Sequence, residues 1–299
     1  MPPPLFDPDF LAKLRALRLS LGRGARGAMA GQRRSGRTGA GLEFSDFRPY
    51  AQGDDIHRLD WYALARFDQP VLRLFVQESA LPLTVYLDCS ASMAFGRPDK
   101  FWHAQRIAAG LAFLFLHRGD PVRIVPLSGT NPASSRQLFT SPADAPRCFN
   151  FLGKLTALGR PDVPALLLRE AARANSEGLS VILSDLLWPP PLGPDGQATA
   201  GFWRSLRANG RRCAVFHVLS PQELAPDLIG DATVADAETG QKVQVRSGTA
   251  VLENYQRRMT AFLGAARRGC LQNHVVYIPA HTNVPAEQLL AGHLRALAR

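Results

Sequence analysis

Short runs of consecutive apolar residues alternate with longer stretches in which apolar residues return at helical spacing, and this alternation sets the fold class. Residues 83–87, 122–127, 180–184, 213–219 and 274–278 have the length and composition of strands. Residues 100–117, 143–155, 163–175, 201–209, 250–267 and 286–298 read as helices. Strands that are apolar throughout are buried on both faces, and a helix between successive strands allows the crossover that parallel pairing requires. The pattern predicts an α/β protein with a doubly wound, mainly parallel sheet. Residues 235–246 interrupt the alternation, with Glu238-Thr-Gly-Gln between two alternating segments. A β-hairpin inserted near the sheet edge is expected there.

Upstream the pattern changes. Residues 8–21 place Phe10, Leu11, Leu14, Leu17 and Leu21 at helical spacing, with Lys13, Arg15 and Arg18 between them, which predicts a short amphipathic helix. Residues 22–41 are crowded with glycine and with Arg23, Arg26, Arg33, Arg34 and Arg37, and read as a mobile basic arm. Apolar spacing is irregular over residues 42–78, where 71–76 is the clearest strand, so a small β-rich segment is expected. The expected organisation is a helix and basic arm over 1–41, a β-rich segment over 42–80 and the α/β domain over 81–299.

Composition narrows the function classes. Of 299 residues, 46% are hydrophobic and 20% charged, the balance of a globular chain with a full core. A formal net charge of +10 draws such a chain toward acidic proteins, nucleic acid or anionic lipid without choosing among them. Cys89, Cys148, Cys213 and Cys270 form no CxxC pair and have no histidine spaced to complete a zinc site, so buried, reduced thiols are expected. No basic segment followed by an apolar core opens the chain, and the longest apolar run, 107–116, contains Gly110 and stops at His117. That is short of the roughly 20 residues that span a bilayer, so no membrane span and a cytoplasmic location are expected. Gly22-Arg-Gly24-Ala-Arg-Gly27 matches GxGxxG but follows a helix, where a dinucleotide site needs a preceding strand. Neither a GxxxxGK[ST] phosphate loop nor a GxSxG elbow occurs, so the chain is not expected to hydrolyse ATP itself. His103 and His117 lie in or at the end of a largely apolar helix and read as packed or surface residues rather than ligands.

Ligands of an open parallel sheet bind beyond the carboxyl ends of its strands. The strand at 83–87 runs into Asp88-Cys-Ser90-Ala-Ser92-Met93, a DxSxS arrangement, and the strand at 180–184 runs into Asp185. One carboxylate and two hydroxyls at alternate positions of a turn can point three oxygens at one hard cation, the ligation that Mg2+ prefers. Asp185 would add an acid from the neighbouring strand end. The plainer alternative is that Asp88 caps the turn while Ser90 and Ser92 satisfy backbone groups.

With that loop in place, the sequence from about residue 81 to the end resembles the von Willebrand factor A-type domain, whose metal-ion-dependent adhesion site (MIDAS) combines a DxSxS loop with a Thr and an Asp from two later loops. Upstream, Gly41-Leu-Glu43-Phe44, Arg48-Pro-Tyr50, Gly53-Asp54-Asp55, Arg58, Asp60-Trp61 and Ala65-Arg66 resemble the signature of the bacterial Domain of Unknown Function 58 family. The two resemblances together cover residues 36–299. They imply a Rossmann-type sheet, a Mg2+ or Mn2+ site at Asp88, Ser90, Ser92, Asp185 and Asp162, and a MoxR-type AAA+ ATPase as partner. One loop departs from the pattern: where the adhesion site has roughly Gly-Gly-Thr-Asp-Leu, this chain has Gly159-Arg160-Pro161-Asp162-Val163. Proline offers no hydroxyl, so either the Asp162 carboxylate substitutes or the cation is weakly held or absent.

Two further clusters bear on function. Asp54, Asp55 and Asp60 stand near His57, which invites an acid–base reading. Arg48, Arg58 and Arg66 are available to pair with them, and nothing supplies a nucleophile or a carbonyl-polarising group, so a structural role is preferred. The basic segment 18–37 has clustered arginines for phosphate contact but no aromatic residue to stack on bases. A non-enzymatic protein-binding module is therefore expected, with nucleic-acid binding through the arm as the alternative.

Overall fold

The computed structural model describes residues 5–28, 34–78, 81–129, 136–173, 178–188, 197–207, 211–226, 231–235, 237, 240–246 and 249–298. The chain forms two compact units, one from Met1–Arg18 and Leu81–Arg299 and the other from Leu19–Ala80. Helix α1 (Pro8–Ala28) contributes to both.

In the smaller unit, β1 (Arg34–Pro49) pairs antiparallel with β2 (Val71–Glu78). Between them lie a 3-10 turn (Ile56–Arg58) and the short helix α2 (Trp61–Phe67). This differs from the expected arm in two ways. The helix continues past Leu21 to Ala28, although each of Gly22, Gly24 and Gly27 costs roughly 1 kcal/mol relative to alanine in a helix interior. Strand then begins at Arg34, its register running from Arg34 opposite Glu78 to Pro49 opposite Val71, so pairing accounts for backbone groups that an arm would leave to water. The side chains of residues 20–46, the arm's arginines among them, lie outside the described residues, as do residues 174–175, 208–209 and 238–239 of the expected helices and hairpin. Helix α2 was expected as part of a β-rich segment; two turns carry too little periodicity to read, and its ends are set by Asp60 as N-cap and Asp68 in the left-handed conformation at φ 52°.

The larger unit continues with β3 (Leu83–Asp88), α3 (Lys100–Leu116), β4 (Val122–Leu127), β5 (Gln137–Phe139), α4 (Ala145–Gly153), α5 (Val163–Ala172), β6 (Leu179–Ser184), α6 (Gln197–Leu206) and β7 (Arg212–Leu219). It ends with α7 (Pro221–Leu224), the hairpin β8 (Asp231–Ala235) and β9 (Lys242–Arg246), α8 (Thr249–Gln272), β10 (Val276–His281) and α9 (Ala286–Ala298). The six-stranded sheet has the order β10-β7-β6-β3-β4-β5, parallel throughout except for β5, which runs antiparallel along β4. The mixed α/β class and mainly parallel sheet agree with the apolar pattern of the sequence. β5, only three residues long, carries too short a run to be read.

Register explains the layering. Tyr86, Val125, Ile182 and Val215 are neighbours across four strands and bury against Leu167, Trp203 and Cys270 from α5, α6 and α8. The alternate set, Val85, Ile124, Val181 and Ala214, is as fully buried, which is why these strands read as unbroken apolar runs. α3 packs against β3, β4, β6 and β7, and α9 packs against α3. The glycine inside its apolar run marks a close approach: a Cβ on Gly110 would displace the end of the Leu290 side chain of α9 and lie 3.3 Å from Leu14 of α1. Phe10 and Leu14, both 0% exposed, are the face of α1 that docks there. Among the described residues, no helix is long and apolar enough to cross a membrane.

From β3 the chain steps outward through β4 to β5, then returns to the other side of β3 and steps through β6 and β7 to β10. The winding therefore changes direction between β3 and β6, the place at which open parallel sheets take ligands beyond the carboxyl ends of their strands.

Candidate functional site

Asp88, the last residue of β3, is completely buried at that strand end. Its Oδ1 accepts the Ser90 backbone N–H at 2.9 Å. Its Oδ2 accepts the Ser184 hydroxyl at 2.6 Å and the Trp188 indole N–H at 3.1 Å. Ser184 is held in turn, because its hydroxyl oxygen accepts the Leu186 N–H at 2.9 Å across a turn in which Leu186 adopts φ 56°. A left-handed leucine costs roughly 1–2 kcal/mol; complete burial of its side chain offsets this. Trp188 is fixed by an edge-on contact with Phe202 at 5.9 Å. Burial, and then the charge of Asp185, push the Asp88 pKa above the usual carboxylate range, opposed by the hydrogen bonds from Ser184, Ser90 and Trp188.

The hydroxyl oxygens of Ser90 and Ser92 stand 3.0 Å apart, with Ser90 buried and Ser92 half-buried. Two backbone bonds clamp this loop to the loop before α5: Ala91 N–H donates to Gly159 O and Leu158 N–H donates to Cys89 O, both at 2.9 Å. Pro161 and Asp162 thus come to the same end of the sheet. The Asp162 carboxylate is exposed and caps α5, accepting the Ala165 N–H at 3.0 Å.

Asp185 faces a cation that the chain itself provides. Its Oδ2 accepts from the Lys100 ammonium at 2.7 Å and its Oδ1 from the Leu187 N–H at 3.1 Å. Lys100 also donates to Glu223 at 2.5 Å, a residue held in a capping box with Ser220. Burial alone would depress the Lys100 pKa; Asp185 and Glu223 outweigh it and hold the pKa above its ordinary value. His217 bridges the same strand end, with Nε2 2.8 Å from Asp185 O and Nδ1 2.8 Å from the Tyr277 hydroxyl. Burial drives its pKa down to about 4. Facing a carbonyl, the neutral ring must carry its proton on Nε2, which leaves Nδ1 to accept from Tyr277. The loops after β3 and β7 meet at Gly96, where a Cβ would lie 2.6 Å from Ser220 Cβ and the φ of 102° suits only glycine.

Neighbouring ligands of an octahedral site with bonds of about 2.1 Å lie about 3.0 Å apart, which is the spacing of the two serine oxygens. Asp88 Oδ1 receives one hydrogen bond from the described residues and keeps acceptor capacity. Among the described residues, no three His, Cys, Asp or Glu side chains are grouped to hold a metal, so a cation here would rely on the serine hydroxyls. The structure brings Asp88, Ser90, Ser92 and Asp185 to one strand-end region, while Asp185 is committed to Lys100 and Asp162 to its helix cap.

Sequence reasoning passed over Lys100, Ser184, Trp188 and Glu223. Lys100 does carry a signal, as a cation at the head of a largely apolar helix, and Ser184 stands directly before the strand-end acid. Trp188 and Glu223 carry none, being brought in by the fold.

The signature residues form a separate cluster in the smaller unit. Arg48 donates to Asp54 at 2.7 Å, and the other Asp54 oxygen accepts the Ala51 N–H at 2.8 Å around Gly53, whose φ is 103°. The Arg48 guanidinium beside it holds the Asp54 carboxyl below the usual range. Tyr50 N–H donates to Pro70 O at 2.8 Å. The other two acids are helix caps: Asp55 accepts the His57 N–H, and buried Asp60 accepts from Tyr62 and Ala63. Arg66 lies 5.7 Å over the Phe67 ring, Arg58 ends the 3-10 turn, and Trp61 is 61% exposed.

Among relatives, the uncharacterized proteins Rv1480 of Mycobacterium tuberculosis and Mb1516 of Mycobacterium bovis are each 28% identical over 277 residues, covering 88% of this chain and 83% of theirs. Among solved structures, BatB from Bacteroides thetaiotaomicron, a conserved hypothetical protein, matches 73% of this chain and 99% of its own at 13% identity and a TM-score of 0.41. An aerotolerance-related membrane protein from Bacteroides fragilis matches 73% and 98% at 14% identity and a TM-score of 0.42. The family described as Protein of unknown function DUF58 matches residues 46–262, well over half of the length, and this chain belongs to it.

Proposed function

We propose that this protein is a non-enzymatic interaction module that takes an acidic side chain of a protein partner at the Asp88–Ser90–Ser92 corner, through a bound Mg2+ or Mn2+. The observation that carries the reading is the 3.0 Å spacing of Ser90 Oγ and Ser92 Oγ beside a carboxylate fixed from two strand ends. A hard cation held by few protein oxygens keeps open positions, which water or an outside carboxylate completes. The strand order, with its change of direction at β3 and its antiparallel edge strand, supports the resemblance to a von Willebrand factor A-like, Rossmann-type domain with a MIDAS-like site. Pro161 stands where that site has a threonine, so the ligands supplied by the chain are Asp88, Ser90 and Ser92, with Asp162 and Asp185 as nearby acids. The partner implied is a MoxR-type AAA+ ATPase acting in maturation or assembly of other proteins; this chain has no phosphate loop, so the nucleotide chemistry belongs to the partner.

Two measurements test the reading. Mg2+ or Mn2+ is expected to raise the melting temperature by mass action, and Asp88→Ala to abolish that response. Capture of a MoxR-type ATPase is expected to be lost with a chelator and in the Ser90→Ala, Ser92→Ala double variant. Equal metal responses in wild type and Asp88→Ala would overturn the site, and capture indifferent to both changes would overturn the partner's use of it.

A further inference from the structure

The opposite ends of the strands carry a concave surface of a different chemistry. A cavity of about 510 Å3 is lined by Arg123 on β4, Arg136 before β5 and Arg173 after α5. It shares Arg123 and Leu138 with a narrower cavity of about 200 Å3 that reaches Thr84, Ser180 and Arg211 at the strand starts. No acidic side chain is among the described residues lining either cavity.

The local charge is far from balanced. Glu170, with only 3% of its side chain exposed, is a carboxylate at this end, and it is shared by Arg173 at 2.7 Å, Arg136 at 3.4 Å and Arg169 at 3.9 Å, while Asp120, just before β4, is paired with Arg118 at 3.4 Å. Arg123 has no ion-pair partner among the described residues, and buried Arg211 adds a further cation. Among the described residues, three guanidinium groups therefore share the Glu170 carboxylate, and Arg123 joins two of them around the hollow. Like charges around one concavity repel, and low-dielectric walls focus their field. A stabilising anion is the natural counterpart. Guanidinium groups present planar forks of donors that match phosphate oxygens two at a time and are weakly hydrated. Arg136 and Arg173 keep 42% and 46% of their side chains exposed, so the wide end is open to a solute.

We propose that this arginine-lined hollow is a binding site for a compact polyphosphate group, either free or as the tail of a nucleotide whose remainder enters the narrower cavity past Thr84 and Ser180. It lies at the opposite end of the sheet from Asp88, and it stands or falls independently of the reading of that corner.

Calorimetric titration of the full chain with tripolyphosphate, ATP and an oligoglutamate peptide tests it. Tripolyphosphate is expected to bind saturably, with affinity falling as salt rises, and to weaken at least tenfold in Arg136→Gln and in Arg123→Gln, while Arg257→Gln, at an exposed arginine of α8, leaves it unchanged. Arg136 is exposed, so its variant remains informative if Arg123→Gln unfolds. Tighter binding of ATP than of tripolyphosphate assigns the nucleotide source; equal or weaker binding assigns the free polyanion. No saturable binding, affinity unchanged in Arg136→Gln, or a preference for the peptide would each overturn the proposal.

Discussion

The ammonium of Lys100 lies 2.7 Å from Asp185 Oδ2 with the two side chains 0% and 1% exposed, and its second carboxylate partner, Glu223, is nearly as deep. A buried pair adds little over an apolar substitute, but removal of one member leaves an uncompensated charge that costs roughly 3–5 kcal/mol. Lys100→Met is expected to lose that much in urea denaturation, and adding Asp185→Asn to recover part of it. A loss under about 1 kcal/mol would contradict the buried pairing, since even a single unsatisfied buried group costs about that much.

Asp60 and Asp55 are both caps, but only Asp60 is buried. Asp60→Ala is expected to cost about 1 kcal/mol, and up to about 2, through loss of the α2 N-cap. Amide exchange across Trp61–Phe67 should accelerate accordingly, with Asp60→Asn close to wild type. Exchange unchanged in Asp60→Ala would remove the structural role and reopen an acid–base role for this cluster.

His103 titrates against the fold. Burial, then the charge of Arg106, lowers its pKa from 6.5 to about 4 in the folded chain. Between these values the unfolded chain binds a proton that the folded chain refuses, so stability falls as pH drops from 6.5 to about 4. A shift of this size corresponds to about 3 kcal/mol. His103→Gln should flatten that portion of the stability–pH curve in denaturant titrations at several pH values; a curve of unchanged slope would refute the assignment.

Pro161 stands in a loop bonded to the Ser90 loop through Ala91 and Gly159. If the corner takes a cation, Pro161→Thr restores a hydroxyl at its edge, and the melting-temperature gain with Mg2+ should exceed that of wild type. A smaller gain than wild type would show that this loop does not border the cation.

How much was legible varied with the range of the interaction. The apolar strands β3, β4, β6 and β7 were readable because burial on both faces is a property of each segment's own composition, whereas β10, a partly buried edge strand, runs Val276–His281 rather than over the expected 274–278; Gly110 marked a close helix contact without revealing that Leu14 and Leu290 make it. Helix α2 and strand β5 were not readable, because seven and three residues hold too few periods. The helix over 22–28 and the strand over 34–41 were not legible, because glycine content says how freely a chain can move, not whether a partner strand such as β2 awaits it.

The α/β class, the strand-end location of Asp88, Ser90, Ser92 and Asp185, and the family signature all follow from residues close together along the chain. The tertiary structure alone decided their surroundings. Asp88 is held by Ser184 and Trp188, which are 96 and 100 positions away, and Asp185 by Lys100 across 85. The gathering of Arg123, Arg136, Arg173 and Arg211 around one hollow likewise required β4, β5, α5 and β7 to end side by side. Spacing along a strand fixes which way a side chain points, but only the order of strands in the sheet fixes which charges it meets.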